Sequence, residues 1–192
     1  MATRESLLDV TARLYAEHGW RGTTTRRIAE VAGVNEVTIF RQFGSKAALL
    51  HQAIGQASGC QSQAVLPDVP RKLAAELTDW AITQHGSLSG MRGIIRSCLA
   101  EWEERPELAP QVCGGGHVAY TDLKRYLDAA RADGLIGAEG SIEAASVMLI
   151  NTIFMDAMTR DVMPGAHPYS PEQSIELFVD LVLRGLAAKE LA

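Results

Sequence analysis

Residues 24–46 read TTRRIAEVAGVNEVTIFRQFGSK, and the reading of this stretch decides the fold. Thr24, Asn35 and Ser45 are three good N-cap residues, each standing immediately before a run that can be helical. Three helix starts this close together describe a helix-turn-helix. Between the first two runs, Gly33 supplies the left-handed conformation that ends one helix before Asn35 opens the next. The second helix is predicted from Glu36 to about Phe43. Its Ile39, Phe40 and Phe43 are expected to pack on Ile28, Ala29 and Ala32, leaving Glu36, Val37, Thr38, Arg41 and Gln42 more exposed. A short helix of this polarity fits a DNA major groove.

The charges run against ordinary helix design. A helix N-terminus carries partial positive charge and favours Asp or Glu, yet Arg26 and Arg27 follow Thr24, and Lys46 follows Ser45. Cations there become favourable when an anion arrives. Free N–H groups and basic side chains at several helix starts make a surface for phosphate.

At these residues the chain resembles the TetR family of bacterial transcriptional regulators. The matching run is T-T-R-R-I-A-x-x-A-G-V-N-x-x-T-I-F-x-x-F-x-S-K, and the resemblance covers roughly residues 4 to 55. It implies a DNA-binding role for Thr24, Thr25, Arg26, Asn35, Glu36, Val37, Thr38, Phe40, Arg41, Gln42 and Lys46. Within that set, Thr24 is a cap that also meets phosphate, Asn35 to Thr38 and Arg41 face the groove, and Lys46 clamps the backbone. Three residues depart from the common pattern. Val37 replaces a small residue or proline, Phe40 replaces tyrosine and removes a hydroxyl, and Gln42 replaces tyrosine or histidine. Val37 offers apolar surface that could meet a thymine methyl.

The net charge of −5 is unevenly spread. Residues 1–50 carry 7 Lys+Arg against 5 Asp+Glu, and residues 51–192 carry 11 against 18. A mildly basic head on an acidic body suits specific contact with nucleic acid better than indiscriminate coating. Cys60, Cys98 and Cys113 are odd in number and far apart, so neither a disulfide framework nor a zinc site is indicated, and a cytoplasmic location is expected. Charged residues from Arg4 to Arg13 interrupt any signal segment, and the apolar run Ala144 to Met155 is too short to span a bilayer.

The predicted fold is all-α, with about nine helices. An N-terminal three-helix domain, residues 1–47, is followed by a helical effector-binding and dimerisation domain, residues 48–192. Residues 3–18 read as an amphipathic helix closed by His18-Gly19. From Lys46 a helix runs toward Gly59. Further helices are expected over Leu73 to Gln84, Met91 to Glu104, His117 to Ala132, about 142–160 and 171–188. Gly86 to Gly90 reads as a loop, and Cys113-Gly114-Gly115-Gly116 as a flexible break. The last two helices are strongly apolar, which favours a homodimer. By the resemblance they form its interface, through Met148, Thr152, Ile175, Phe178, Val179, Val182 and Leu186.

In the middle helices, Trp80, His85, Met91, Cys98, Trp102, Tyr120, Phe154 and Met158 have the mixture of bulk and polar tips that lines small-molecule pockets. The resemblance makes them candidates for an apolar or aromatic effector that weakens DNA binding by population shift. No cofactor, metal or catalytic residue is predicted. Gly86-Ser87-Leu88-Ser89-Gly90 places leucine where a nucleophile motif needs serine, and no H-E-x-x-H occurs. The expected function is a dimeric repressor released from a palindromic DNA operator. The alternative is a helical dimer that binds a small molecule or partner without sequence-specific DNA binding.

Overall fold

The structure, a computed structural model, describes residues 3–59 and 65–188; Cys60 lies outside them, as does the side chain of Cys113. Among the described residues every regular element is helical. The order is α1 (Arg4–Gly22), α2 (Thr25–Ala32), α3 (Glu36–Phe43), α4 (Lys46–Gly59), α5 (Leu73–Gly90), α6 (Arg92–Ala100), α7 (Ala109–Ala132), α8 (Ile142–Thr159) and α9 (Pro171–Gly185). Short 3-10 turns stand at Pro106–Leu108 and Pro164–Ala166. The all-α class and the helix-turn-helix are as expected.

The chain forms two compact units. The first takes in Met1–Gln61 and Gly90–Gly115, and the second Ser62–Ser89 and Gly116–Ala192. In the first unit α1 packs against α2, α4 and α6. Leu7, Leu14 and Tyr15 of α1, Ile28 of α2, Ile39 of α3, Leu49, Leu50 and Ile54 of α4, and Ile94 and Cys98 of α6 share one core. Each Leu or Ile fully buried there contributes about 1.5–3 kcal/mol. Gly93 permits the close approach of α6 to α1, since a Cβ at that position would lie 2.8 Å from the Cβ of Ala16.

The helix boundaries follow local chemistry. Thr3 caps α1 by accepting from Ser6 N–H at 3.2 Å. Gly19 has φ 62 and ψ −169, so the regular part of α1 ends at the expected His18-Gly19, and one further turn carries the chain to Gly22. Ser141 caps α8, and Ser170 with Gln173 forms a reciprocal capping box on α9.

The second unit is built from α5, most of α7, α8 and α9. Its core joins Leu73, Leu77 and Trp80 to Leu123, Tyr126 and Leu127, and to Leu149, Ile153, Ile175, Val179, Leu183 and Leu186. Three expectations change here. Gly86 to Gly90 is the last stretch of α5 and not a loop. The backbone from Ala109 to Ala132 is one continuous helix through Cys113-Gly114-Gly115-Gly116, so no break falls there. The apolar run around Ala144 to Met155 extends to an 18-residue helix of mean hydropathy 1.3, long and apolar enough in length and composition to cross a bilayer; 44% of it is buried inside the protein.

Candidate nucleic-acid interface

The three caps predicted around the turn are formed. Thr24 Oγ1 accepts from Arg27 N–H at 3.2 Å, Asn35 Oδ1 from Val37 N–H at 2.9 Å, and Ser45 Oγ from Ala48 N–H at 3.1 Å. Gly33, at φ 66 and ψ 34, closes α2, and its N–H reaches back to the carbonyls of Ala29 and Glu30. Replacing an N-cap by alanine typically costs about 1 kcal/mol, so these local contacts together hold α3 at a fixed angle to α2.

On α3, Ile39 and Phe43 lie four residues apart and are both buried, as predicted. Phe40 is not: it stands about 100° round the helix and is 48% exposed, so it does not share their packing on α2. Val37 is 70% exposed. Arg41 and Gln42 are also exposed, while Glu36 and Thr38 are half-buried. The outer face of α3 is therefore a valine, an aromatic ring, a cation and an amide, a mixture suited to base edges and methyl groups.

The flanking residues are already partnered. Thr25 Oγ1 donates to Glu36 Oε1 at 2.5 Å, and Arg26 Nε pairs with Glu30 at 3.0 Å on an exposed face. Exposed pairs of this kind contribute at most about 1 kcal/mol and exchange readily for a phosphate. Lys46, expected as a backbone clamp, is half-buried. Its ammonium donates to the carbonyl of Trp20 and lies 4.8 Å from the centre of that indole ring. Burial, with the nearby Arg105 charge, pulls its pKa below the ordinary lysine value, against the pull of Glu101. Arg105 stacks on the same ring at 3.6 Å, and Glu101 Oε1 accepts the Trp20 N–H at 2.7 Å. Trp20, Glu101 and Arg105 were not singled out from sequence; only their contact in the fold marks them.

The residues expected to line an effector pocket divide between the units. Met91, Cys98 and Trp102 belong to the first. Cys98 is buried in its core, where its sulfur takes a hydrogen bond from Tyr15, and Trp102 is 47% exposed. Trp80, His85, Tyr120, Phe154 and Met158 belong to the second. His85 is committed to a buried ion cluster, donating through Nε2 to Asp156 Oδ2 at 2.9 Å. Arg160 holds both oxygens of Asp156, and His167 Nδ1 donates to Oδ1 at 3.2 Å. Burial alone would raise the Asp156 pKa, but the bonds and charge of Arg160 and His85 outweigh it and hold the carboxyl below its usual range. Trp80 Nε1 and Ser146 Oγ are buried without a hydrogen-bond partner.

An open groove of about 510 Å³ runs along α8 and α9, lined by Met148, Thr152, Met155, Asp156, His167 and Phe178 among others. It contains three residues expected at a dimer interface, Met148, Thr152 and Phe178, and none of those expected to meet an effector. Ile175, Val179 and Leu186 do not face outward. They are 1–2% exposed in the unit's own core, and α9 instead presents Leu177 and Leu181 to solvent, while α8 presents Val147, Met148 and Met155. The helix is apolar on two sides, and the stripe chosen from sequence is the inner one.

Comparison with known proteins bears on the same stretch. Residues 7–53 match the family model described as bacterial regulatory proteins, tetR family. The HTH-type transcriptional regulator YvkB of Bacillus subtilis is 43% identical over 56 residues, 29% of this chain and 30% of that protein. The HTH-type transcriptional repressor KstR2 of Rhodococcus jostii is 39% identical over 51 residues, 27% of this chain and 25% of that one. These alignments span less than a third of the relatives' length. A TetR transcriptional regulator from Agrobacterium tumefaciens shares the fold across 97% of this chain and 94% of its own, with a TM-score of 0.78 at 20% identity. Residues 7–53 thus form a capped helix-turn-helix that matches the tetR family of bacterial regulatory proteins, and the chain as a whole shares the fold of a TetR transcriptional regulator.

Proposed function

We propose that this protein is a DNA-binding transcriptional repressor that acts as a homodimer and is released from its operator by a small apolar or aromatic effector. The observation that carries the reading is the outward face of α3. Val37, Phe40, Arg41 and Gln42 are exposed on a helix whose entry is fixed by Asn35, beside two further capped starts bearing Arg26 and Lys46. A recognition helix needs that combination of rigid entry and mixed polar and apolar tips. Thr24, Thr25, Arg26 and Lys46 position the head on phosphates, and Asn35 to Thr38 with Phe40, Arg41 and Gln42 meet the groove.

Dimerisation follows from the exposed apolar residues of α8 and α9, which leave Met148 at 64% and Leu181 at 67% exposure. Two copies joined there would read two half-sites roughly 34–36 Å apart, one turn of the duplex. An effector would enter the second unit, where the unpartnered Trp80 Nε1 and Ser146 Oγ offer hydrogen bonds amid apolar walls. The division of labour is that residues 1–47 read DNA, residues 48–192 take the effector and the second copy, and the protein works in the cytoplasm.

The test is selection of genomic fragments by the purified protein at near-physiological salt, with sequencing of the retained DNA. Enrichment of an inverted repeat is expected, with affinity that falls steeply as salt rises. Folded, ligand-stripped protein that enriches nothing would instead leave a helical dimer with no DNA-reading role.

A further inference from the structure

Glu36 is an unusual side chain to place at the entry of a helix offered to DNA. It is acidic, an acceptor only, and no cation lies within ion-pair distance of it among the described residues. Its Oε1 is occupied by the Thr25 hydroxyl at 2.5 Å, a bond that reaches from the first residue of α2 to the first residue of α3. One carboxylate oxygen is thereby fixed, and the second is left to accept. The next residue, Val37, is held by the Asn35 cap at 2.9 Å and is 70% exposed.

We infer that Glu36 reads a cytosine in each operator half-site, that Thr25 is its positioning residue, and that Val37 meets the methyl group of a neighbouring thymine. The inference rests on the DNA-reading function proposed above. A carboxylate cannot approach phosphate without repulsion, but the N-terminal residues of a recognition helix meet base edges. In the major groove only cytosine N4 and adenine N6 donate hydrogen bonds. Adenine presents the N7 acceptor beside its amino group, which repels a carboxylate oxygen; cytosine presents no acceptor on that edge. An acceptor-only side chain held by one oxygen therefore selects cytosine. Val37 has no polar atom on its side chain, and thymine alone offers a methyl at the same depth.

Selection from a library of randomised DNA, carried out with the wild-type chain and with Glu36→Gln, Thr25→Ser and Thr25→Val, tests this. The wild type should retain an inverted repeat with one C·G pair preferred by about tenfold or more in each half, next to a T·A pair. Glu36→Gln should exchange that C·G for A·T, because an amide donates to N7 while accepting from N6. Thr25→Ser should keep the cytosine, and Thr25→Val should flatten the preference at that position while the other positions of the repeat keep theirs. An inverted repeat with no cytosine at any position that Glu36→Gln alters would overturn the assignment and leave the DNA-reading function intact. A wild-type chain that retains no repeat would overturn both. A wild-type repeat with no preferred C·G pair at any position would overturn the cytosine by itself, so that outcome can be read even if a variant fails to fold.

Discussion

The corner around Trp20 in the first unit and the cluster around Asp156 in the second both join carboxylates to cations, but at different depths. At the first, Arg21 meets Glu104 at 3.3 Å with both side chains largely exposed, and Lys46 and Arg105 lean on an indole ring. At the second, Asp156 is 4% exposed and takes hydrogen bonds from His85, Arg160 and His167, while Arg160 goes on to Ser174 Oγ at 2.8 Å and to the carbonyl of Tyr169. Exposed pairs contribute little and trade partners easily; a buried one is costly to break because the remaining charge is stranded. The first region is therefore suited to exchanging its own contacts for those of a polyanion. The second ties α5, α8 and the start of α9 into one rigid piece.

Asp156→Asn should produce the largest effect. Leaving the half-buried Arg160 without its carboxylate is expected to lower the unfolding free energy by about 3 kcal/mol, read by chemical denaturation. Because the folded pKa of Asp156 is depressed, its contribution is fully present above the ordinary aspartate value and is lost as pH falls through the folded one. A loss under about 1 kcal/mol would erase the contrast between the regions.

Next comes the α8/α9 face. Leu181→Glu combined with Met148→Glu should convert the proposed dimer to monomer in sedimentation experiments, weakening association by at least about 2 kcal/mol, with the helical signal retained. An unchanged dimer would place the interface elsewhere. Gly33→Ala should cost about 1 kcal/mol, since φ 66 is left-handed and no neighbour lies within 4 Å of the added methyl. A neutral result would mean that the turn relaxes. Smallest in stability is Arg26→Ala, expected within about 0.5 kcal/mol of wild type, yet it should weaken binding to all DNA sequences alike and reduce the salt dependence. A change of preferred sequence would make Arg26 a base reader instead.

What could be read from the chain alone follows the same division. The head is written in local signals: caps at Thr24, Asn35 and Ser45, the glycine at 33, and Ile39 spaced four residues from Phe43. Each acts within a turn or two of its own position, so it survives without knowledge of the fold. The body depends on contacts between distant residues. Gly86 to Gly90 looks like a loop by composition, but Leu88 packs against the core of the second unit and α5 runs through it; the α7 backbone likewise stays helical through Gly114-Gly115-Gly116. On α9 two apolar stripes compete, and nothing local says that Ile175 and Val179 turn inward while Leu177 and Leu181 turn outward. His85 reads as a pocket residue until Asp156, 71 positions away, accepts its hydrogen bond. Gly93 and Trp20 become meaningful only when α6 and the 101–105 segment are laid against α1 and α4.

The central claim is that α3 reads DNA as one of a symmetric pair. A hydroxyl-radical footprint on an operator recovered by selection measures this directly. Two protected patches of equal strength, related by a two-fold axis and centred about one helical turn or a multiple of it apart, are predicted. A single unpaired patch, or uniform protection that does not depend on sequence, would contradict it.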